Sequence, residues 1–203
     1  MRIKYTIISF FLSMIFVTAC FAEAASPVAQ LQRVADNMIS QLEKNKSRLD
    51  DLDVVRRIVK AAFLPNVDLN RMAASVVGKQ WQTTSAAQRA QFKKEFSDYV
   101  ITTYAAALSS YDSDQVKFKP LRGGYENSTT AQVQSVIIRK SGQRINVTYF
   151  VTRVGSQWKV YDFSIEGVSM MQSYHAQFAD ILTNGGMTLL LQRLHAHNVA
   201  VLR

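Results

Sequence analysis

Apolar residues in this chain recur every three to four positions as far as about residue 111 and every second position after it. That switch of period limits the possible folds more than any other feature. The helical stretch just before the switch is the longest. Ser85 followed by Gln88 has the spacing of a capping box. Phe92, Phe96, Tyr99, Val100, Thr103, Tyr104, Ala107, Leu108 and Tyr111 then keep helical spacing with no Gly or Pro between them. The 27 residues from Ser85 to Tyr111 predict a rod of about 40 Å. Its buried stripe is aromatic, and large rings leave irregular gaps unless something fills them.

Shorter helices are expected before it. Ser26-Pro27 is a helix start, followed by Leu31, Val34, Ala35, Met38, Ile39 and Leu42 on one face. A second helix runs from about Asp51 and ends before Pro65, with Leu52, Val55, Ile58 and Val59 on one side. Asp68 caps a third, which carries Met72, Val76 and Val77 and closes at Gly78. After the switch, the strand candidates are 115–119, 130–140, 144–153 and 157–165, punctuated by Gly123-Gly124, Ser141-Gly142 and Gly155. In the third, Ile145, Val147, Tyr149 and Val151 face one way and Asn146, Thr148 and Thr152 the other, as in a sheet with one wet face. Helices follow at about 169–183, stopped by Asn184-Gly185-Gly186, and at 187–198. Helices, a four-strand meander and helices again predict an α+β fold, with the long aromatic helix across the apolar face of a curved antiparallel sheet.

Composition narrows the class. The chain has 203 residues, of which 48% are hydrophobic and 19% charged, too apolar for disorder. Arg2 and Lys4 precede an uncharged run from Thr6 to Phe21, and Ala22-Glu23-Ala24 follows. This reads as a secretory signal over residues 1–24, leaving one domain at 25–203. An uncleaved anchor is the alternative, although the run is shorter than the ~20 residues a spanning helix needs. Val17-Thr18-Ala19-Cys20 also resembles a bacterial lipobox, which would make Cys20 a lipidated N-terminus. Removing residues 1–24 leaves 179 residues with a net charge of +8 and no cysteine, so the domain must rest on its core alone. The triplets at Asn45, Asn127 and Asn146 match glycosylation acceptors, and with Asn146 in a predicted strand chance explains them better.

Motifs for catalysis are missing. The sequence contains no G-x-S-x-G, no H-E-x-x-H and no Walker loop. His195 and His197 lie two apart on a predicted helix and point in different directions, which disfavours a shared metal. His175 and Asp180, five apart, are poorly spaced for one helix face. Asp162 follows Trp158-Lys159-Val160-Tyr161 and is open to two readings, a general base among aromatics or a carboxylate that fixes a turn. The cations occur singly or in pairs such as Arg56-Arg57, Lys93-Lys94 and Arg139-Lys140. That scatter, with export, argues against nucleic acid and for anionic head groups or an acidic partner.

The stretch Trp158-Lys159-Val160-Tyr161-Asp162-Phe163-Ser164-Ile165-Glu166-Gly167-Val168-Ser169, followed by Tyr174 and Gln177-Phe178, closely resembles the C-terminal signature of the MlaC family. Val76-Val77-Gly78-Lys79-Gln80-Trp81, then Gln88, Phe92, Phe96 and Tyr104, resembles that family's other recurring block. The likeness runs from about Leu31 to Leu194. His175 stands where the family pattern has Arg, and Val77 where it has Leu. The resemblance implies an NTF2-like or cystatin-like sheet with added helices enclosing an apolar cavity. It implies a monomeric periplasmic carrier that moves phospholipid between an outer-membrane lipoprotein complex and an inner-membrane MCE-type transporter, with no cofactor, metal or covalent chemistry. On that reading the tails would be lined by Val76, Phe92, Phe96, Tyr99, Val100, Tyr104, Val147, Tyr149, Val151, Val168, Met171 and Phe178, with Trp81, Trp158 and Asp162 supporting the scaffold. Two other readings stay open: an enzyme using Asp162 or His175 in the same pocket, and a lipid-anchored adaptor held through Cys20.

Overall fold

A computed structural model describes residues 26–121 and 123–201, so the expected signal with Cys20 lies outside the described residues. Ser26 caps helix α1 (Pro27–Lys44), its Oγ accepting the Ala29 N–H. Asp51 and Asp68 cap α2 (Leu52–Ala62) and α3 (Leu69–Val77) in the same way through Asp53 and Arg71 N–H. At Gly78 the chain leaves α3 with φ +68° and ψ −139°, a conformation that only Gly adopts without strain. A Cβ there would also lie 2.9 Å from the His175 ring. His175 Nδ1 sits 2.8 Å from the Val76 carbonyl oxygen, so that nitrogen carries the proton and donates it. Ser85 and Gln88 form both halves of the capping box that starts α4 (Ala86–Ser109). At 24 residues α4 stops at a Ser110 cap, so Tyr111 lies just beyond it.

Five strands follow: β1 (Gln115–Phe118), β2 (Thr130–Ile138), β3 (Arg144–Val154), β4 (Gln157–Ile165) and β5 (Val168–Ser169). They form an antiparallel meander in chain order. The fifth strand is additional to the four expected. Glu166 (φ +49°) and Gly167 (φ +83°) make a two-residue hairpin turn that folds Val168 and Ser169 back onto β4. A two-residue strand is too short to show an alternation. Between β3 and β4, Phe150 pairs with Asp162 while Val151 pairs with Val160, so Tyr161 is an extra, bulged residue. Asp162 is spent on structure: Oδ1 accepts from the N–H of Phe163 (2.7 Å) and Met171 (3.2 Å), and Oδ2 from the Ser169 hydroxyl (2.7 Å).

The two terminal helices expected from the sequence meet at Gly186, whose φ +61° and ψ −163° are not helical, and are numbered together as α5 (Met170–Ala200). The glycines bend the chain without releasing it, because both halves feed one core: Tyr174, Phe178 and Leu182 before the bend, Met187, Leu190, Leu191 and Leu194 after it. The outer edge of β4 is covered where β5 does not reach. The Gln30 side chain pairs with both backbone groups of Trp158 (2.7 and 2.9 Å), and Asp68 N–H donates to the Val160 carbonyl (2.8 Å). An open strand edge is thereby closed by α1 and the α2–α3 connection.

The rings of α4 pack chiefly against α5, not across the sheet as expected. Phe92 stacks on Phe96 (5.3 Å between centroids), and Phe96 meets Tyr174 edge-on (5.2 Å). A second cluster, with Leu42, Val55, Ile58, Val59 and Ile101, joins α1, α2 and α4. Two buried carboxylates one turn apart reinforce both contacts. Asp98 pairs with Lys60 of α2 (2.6 Å). Glu95 accepts from Asn198 Nδ2 of α5 (2.8 Å), lies 3.1 Å from His195 Nδ1 and 3.6 Å from Lys94.

Burial pushes the Glu95 carboxyl up, but the hydrogen bonds from Asn198 and His195 and the charge of Lys94 outweigh it and hold it below its ordinary value. Its folded pKa is the lower one, so its stabilisation is present above the ordinary carboxylate pKa and is lost as pH falls through the folded value. Urea unfolding at a series of pH values, from about 5 to about 3, should show a steeper loss of stability for the wild type than for Glu95→Gln. Parallel profiles would contradict the role given to Glu95.

Candidate functional site

Because α4 is fastened to α5 and α2, a gap remains between it and one end of the sheet. The gap is a cavity of about 520 Å³. Its floor follows from period-two alternation on the inner sheet face: Val116 and Phe118 of β1, Ile137 of β2, Ile145, Val147 and Tyr149 of β3, and Phe163 and Ile165 of β4. Strand register sets these in rows, with Val116 opposite Ile137, Ile137 opposite Ile145, Tyr149 opposite Phe163, and Val147 opposite Ile165. The same face at its other end, through Val133, Val151, Trp158 and Val160, belongs to the packed core. One sheet face therefore serves as core at one end and as cavity wall at the other.

The roof comes from three helical segments. Helix α1 supplies Leu31, Val34, Ala35, Met38, Ile39 and Leu42, and α4 supplies Phe96, Val100, Ile101, Tyr104, Ala107 and Leu108. Phe63, Leu64, Val67 and Leu69 around the α2–α3 connection, with Met72 and Met171, close the sides. Burial pushes the Tyr149 and Tyr111 phenols up, and the Tyr104 hydroxyl donates to Met170 Sδ (2.8 Å). Apart from Ser97, the polar side chains on the wall without a ring are Asp114 and Arg139. These two meet at one end, where Arg139 Nη1 lies 3.2 Å from Asp114 Oδ2 and 3.1 Å from Ser110 Oγ. Beside them Asp112 bridges Lys140 (2.7 Å) and Lys46 (2.8 Å), whose hydrogen bonds hold its carboxyl at about 2.

Of the twelve residues expected to line acyl tails, the structure brings six together on this wall: Phe96, Val100, Tyr104, Val147, Tyr149 and Met171. The other six lie off it. Val76, Phe92, Val151 and Phe178 are interlocked in the main core. Tyr99 is on the flank of α4 that faces α5, against Tyr174, Phe178 and His197, and its hydroxyl accepts from Gln177. Val168 is 56% exposed on β5. The α1 face was read as a helical stripe and not as a wall, and the alternation that marks Val147 and Tyr149 also marks Val116, Ile137, Phe163 and Ile165.

Each histidine is engaged locally: His175 with the Val76 carbonyl, His195 with Glu95, and His197 against the Tyr99 ring. Among the described residues no group of three or more His, Cys, Asp or Glu is placed to hold a metal ion, and no helix is long and apolar enough to cross a membrane.

The protein family described as MlaC protein matches residues 32–196. The intermembrane phospholipid transport system binding protein MlaC of Haemophilus influenzae is 30% identical over 194 residues, covering 94% of this chain and 90% of that protein. The toluene tolerance protein ttg2D of Pseudomonas putida is 22% identical over 172 residues, or 82% of this chain and 77% of that one. Among solved structures, a phospholipid-binding protein from Ralstonia solanacearum, determined in complex with a phospholipid, superposes with a TM-score of 0.82 at 26% identity. That match covers 88% of this chain and all of the other.

A substitution pair separates wall from core. Val76→Phe, in the packed core, should lower unfolding free energy by about 1–3 kcal/mol through overpacking. Val100→Phe, which adds its ring to the cavity, should lower it little or not at all. Thermal unfolding of both variants tests this, and equal losses would show that the gap does not accept added volume.

Proposed function

The chain belongs to the MlaC family, and from that premise we propose that it is a phospholipid carrier whose cavity holds the acyl tails. The observation that carries the reading is the apolar gap of about 520 Å³ between α4, α1 and the sheet. On the scale of engineered core cavities, about 24 cal/mol per Å³, a sealed void of that volume would cost about 12 kcal/mol, and because this gap opens to solvent that figure is an upper bound on the cost. An occupant would relieve that cost, and the apolar wall suits an apolar one. The names of the relatives, one of a phospholipid transport system and one solved with a phospholipid, support the same ligand.

The energetics of tail burial indicate how such a carrier works. Two ordinary acyl chains contain roughly thirty methylenes, worth about 25 kcal/mol of burial from water at ~0.8 kcal/mol each. That exceeds the practical ceiling of about 18–21 kcal/mol for non-covalent affinity. Affinity from water is therefore the wrong measure. A carrier has to match the burial a bilayer already offers, so that transfer in either direction is nearly balanced, and smooth apolar walls meet that need.

In this proposal residues 1–24 are removed on export, and residues 25–203 act as a monomer in the periplasm. It exchanges lipid with an outer-membrane lipoprotein complex and an inner-membrane transporter bearing an MCE-type ring. The protein does no covalent chemistry. In line with this, the Asp162 carboxylate is taken up in capping α5 and His175 in bonding the α3 terminus.

Protein purified without detergent, extracted into organic solvent and analysed by mass spectrometry should yield phospholipid at about one molecule per chain. The same should hold after delipidation and reloading from vesicles. Lipid at trace level in both samples would refute the carrier reading.

A further inference from the structure

Among the described residues Arg139 is the cation on the cavity wall. It stands at the first position after β2, in a hairpin closed by Arg139 N–H to the Gln143 carbonyl and Gly142 N–H to the Arg139 carbonyl, both 2.9 Å. Its backbone is therefore fixed. Its side chain lines the end of the cavity and is 22% exposed, between the apolar interior and water. All its side-chain bonds run through one nitrogen: Nη1 reaches Asp114 Oδ2, Ser110 Oγ and the Ser110 carbonyl. Nε and Nη2 make no hydrogen bond to the described residues. A guanidinium held at one corner in this way keeps the Nε–Nη2 edge free, and that edge matches two oxygens of a phosphate.

We propose that Arg139 is the head-group receptor of this carrier, its Nε–Nη2 edge taking the phosphodiester of a lipid whose tails fill the cavity, while Asp114 and Ser110 hold the guanidinium in position. The proposal rests on the carrier reading and adds the chemical class recognised at the polar end, a singly charged phosphodiester. Asp114 orients the cation and also competes for it, which limits the grip and suits a lipid that must leave again. Lys46 and Lys140 share Asp112 next door and Glu43 stands beside Lys46, so the surroundings are close to neutral and an anion would be held by the free guanidinium edge, not by an excess of cations.

The test uses vesicles containing equal amounts of a phosphatidylglycerol and a diacylglycerol with the same tails. Protein is incubated with them, repurified and extracted, and the ratio of the two bound lipids is measured. Wild type should hold phospholipid in excess. Arg139→Gln should lower the ratio about tenfold, the loss of a charge-assisted, two-point contact, while its uptake of diacylglycerol stays unchanged. Arg139→Lys, which keeps the charge and loses the fork, should fall between the two. Asp114→Asn removes the competitor and should hold or raise the ratio, which keeps the test informative if Arg139→Gln folds poorly. An unchanged ratio in Arg139→Gln, or a fall in Asp114→Asn, would reduce Arg139 to a staple between α4 and the sheet and overturn the proposal. Uptake of neither lipid by wild type would instead defeat the carrier reading itself. Inorganic phosphate alone supplies the last arm: a rise in Tm that Arg139→Gln abolishes would mean the anion comes from solution, and would overturn the head-group assignment.

Discussion

Glu95 and Asp98, one turn apart on α4, fasten that helix to α5 on one side and to α2 on the other. The stacked and edge-on rings of Phe92, Phe96, Tyr174 and Phe178 do the same in apolar terms. A helix so held is not free to drop onto the sheet. The inner sheet face is then packed by α3 and α5 at the end bearing Val151, Trp158 and Val160, and is left facing a gap at the end bearing Ile137, Ile145 and Val147. Buried carboxylates gain little over apolar packing in general. Here each is matched by cations or amide donors from a neighbouring helix, and the pairing determines where the helices sit.

Closing the gap from outside falls to α1. Its inner face lines the cavity, and its N-terminal end is tied to the sheet edge by the Gln30 amide, which occupies the two backbone positions of Trp158 that a longer β5 would take. Past its far end, Lys46 joins Asp112 beyond the end of α4. The roof of the cavity is thus held near both ends and apolar between them. It presents an apolar lining with few polar contacts.

Much of the fold was legible because local chemistry agreed with it. Ser26, Asp51, Asp68 and the Ser85–Gln88 pair each mark a helix start, and the alternation from Ile145 to Val151 marks a half-buried strand. The fifth strand was not visible, since Val168 and Ser169 are too few to show a period. The break at Asn184-Gly185-Gly186 was visible, and Gly186 is where the helical geometry lapses between the two halves of α5. The cavity was least legible. Phe92 and Phe96 belong to one stripe four residues apart, yet one is locked in the core and the other lines the wall. Hydrophobic periodicity reports which face is dry, and a face is equally dry against a side chain or an acyl tail. Only the placement of α4, set by contacts distant in sequence, separates the two.

On the carrier reading, tails occupy the gap beneath α4 and α1 and not some other apolar surface. Methyl NMR with a phospholipid spin-labelled in mid-tail tests it directly. The label should broaden the methyl signals of Ile39, Ile137 and Ile145, which line the gap, and leave those of Val76, Val133 and Val160 in the packed core much sharper. Equal broadening in both groups, or broadening confined to exposed methyls such as those of Val154 and Val168, would contradict it.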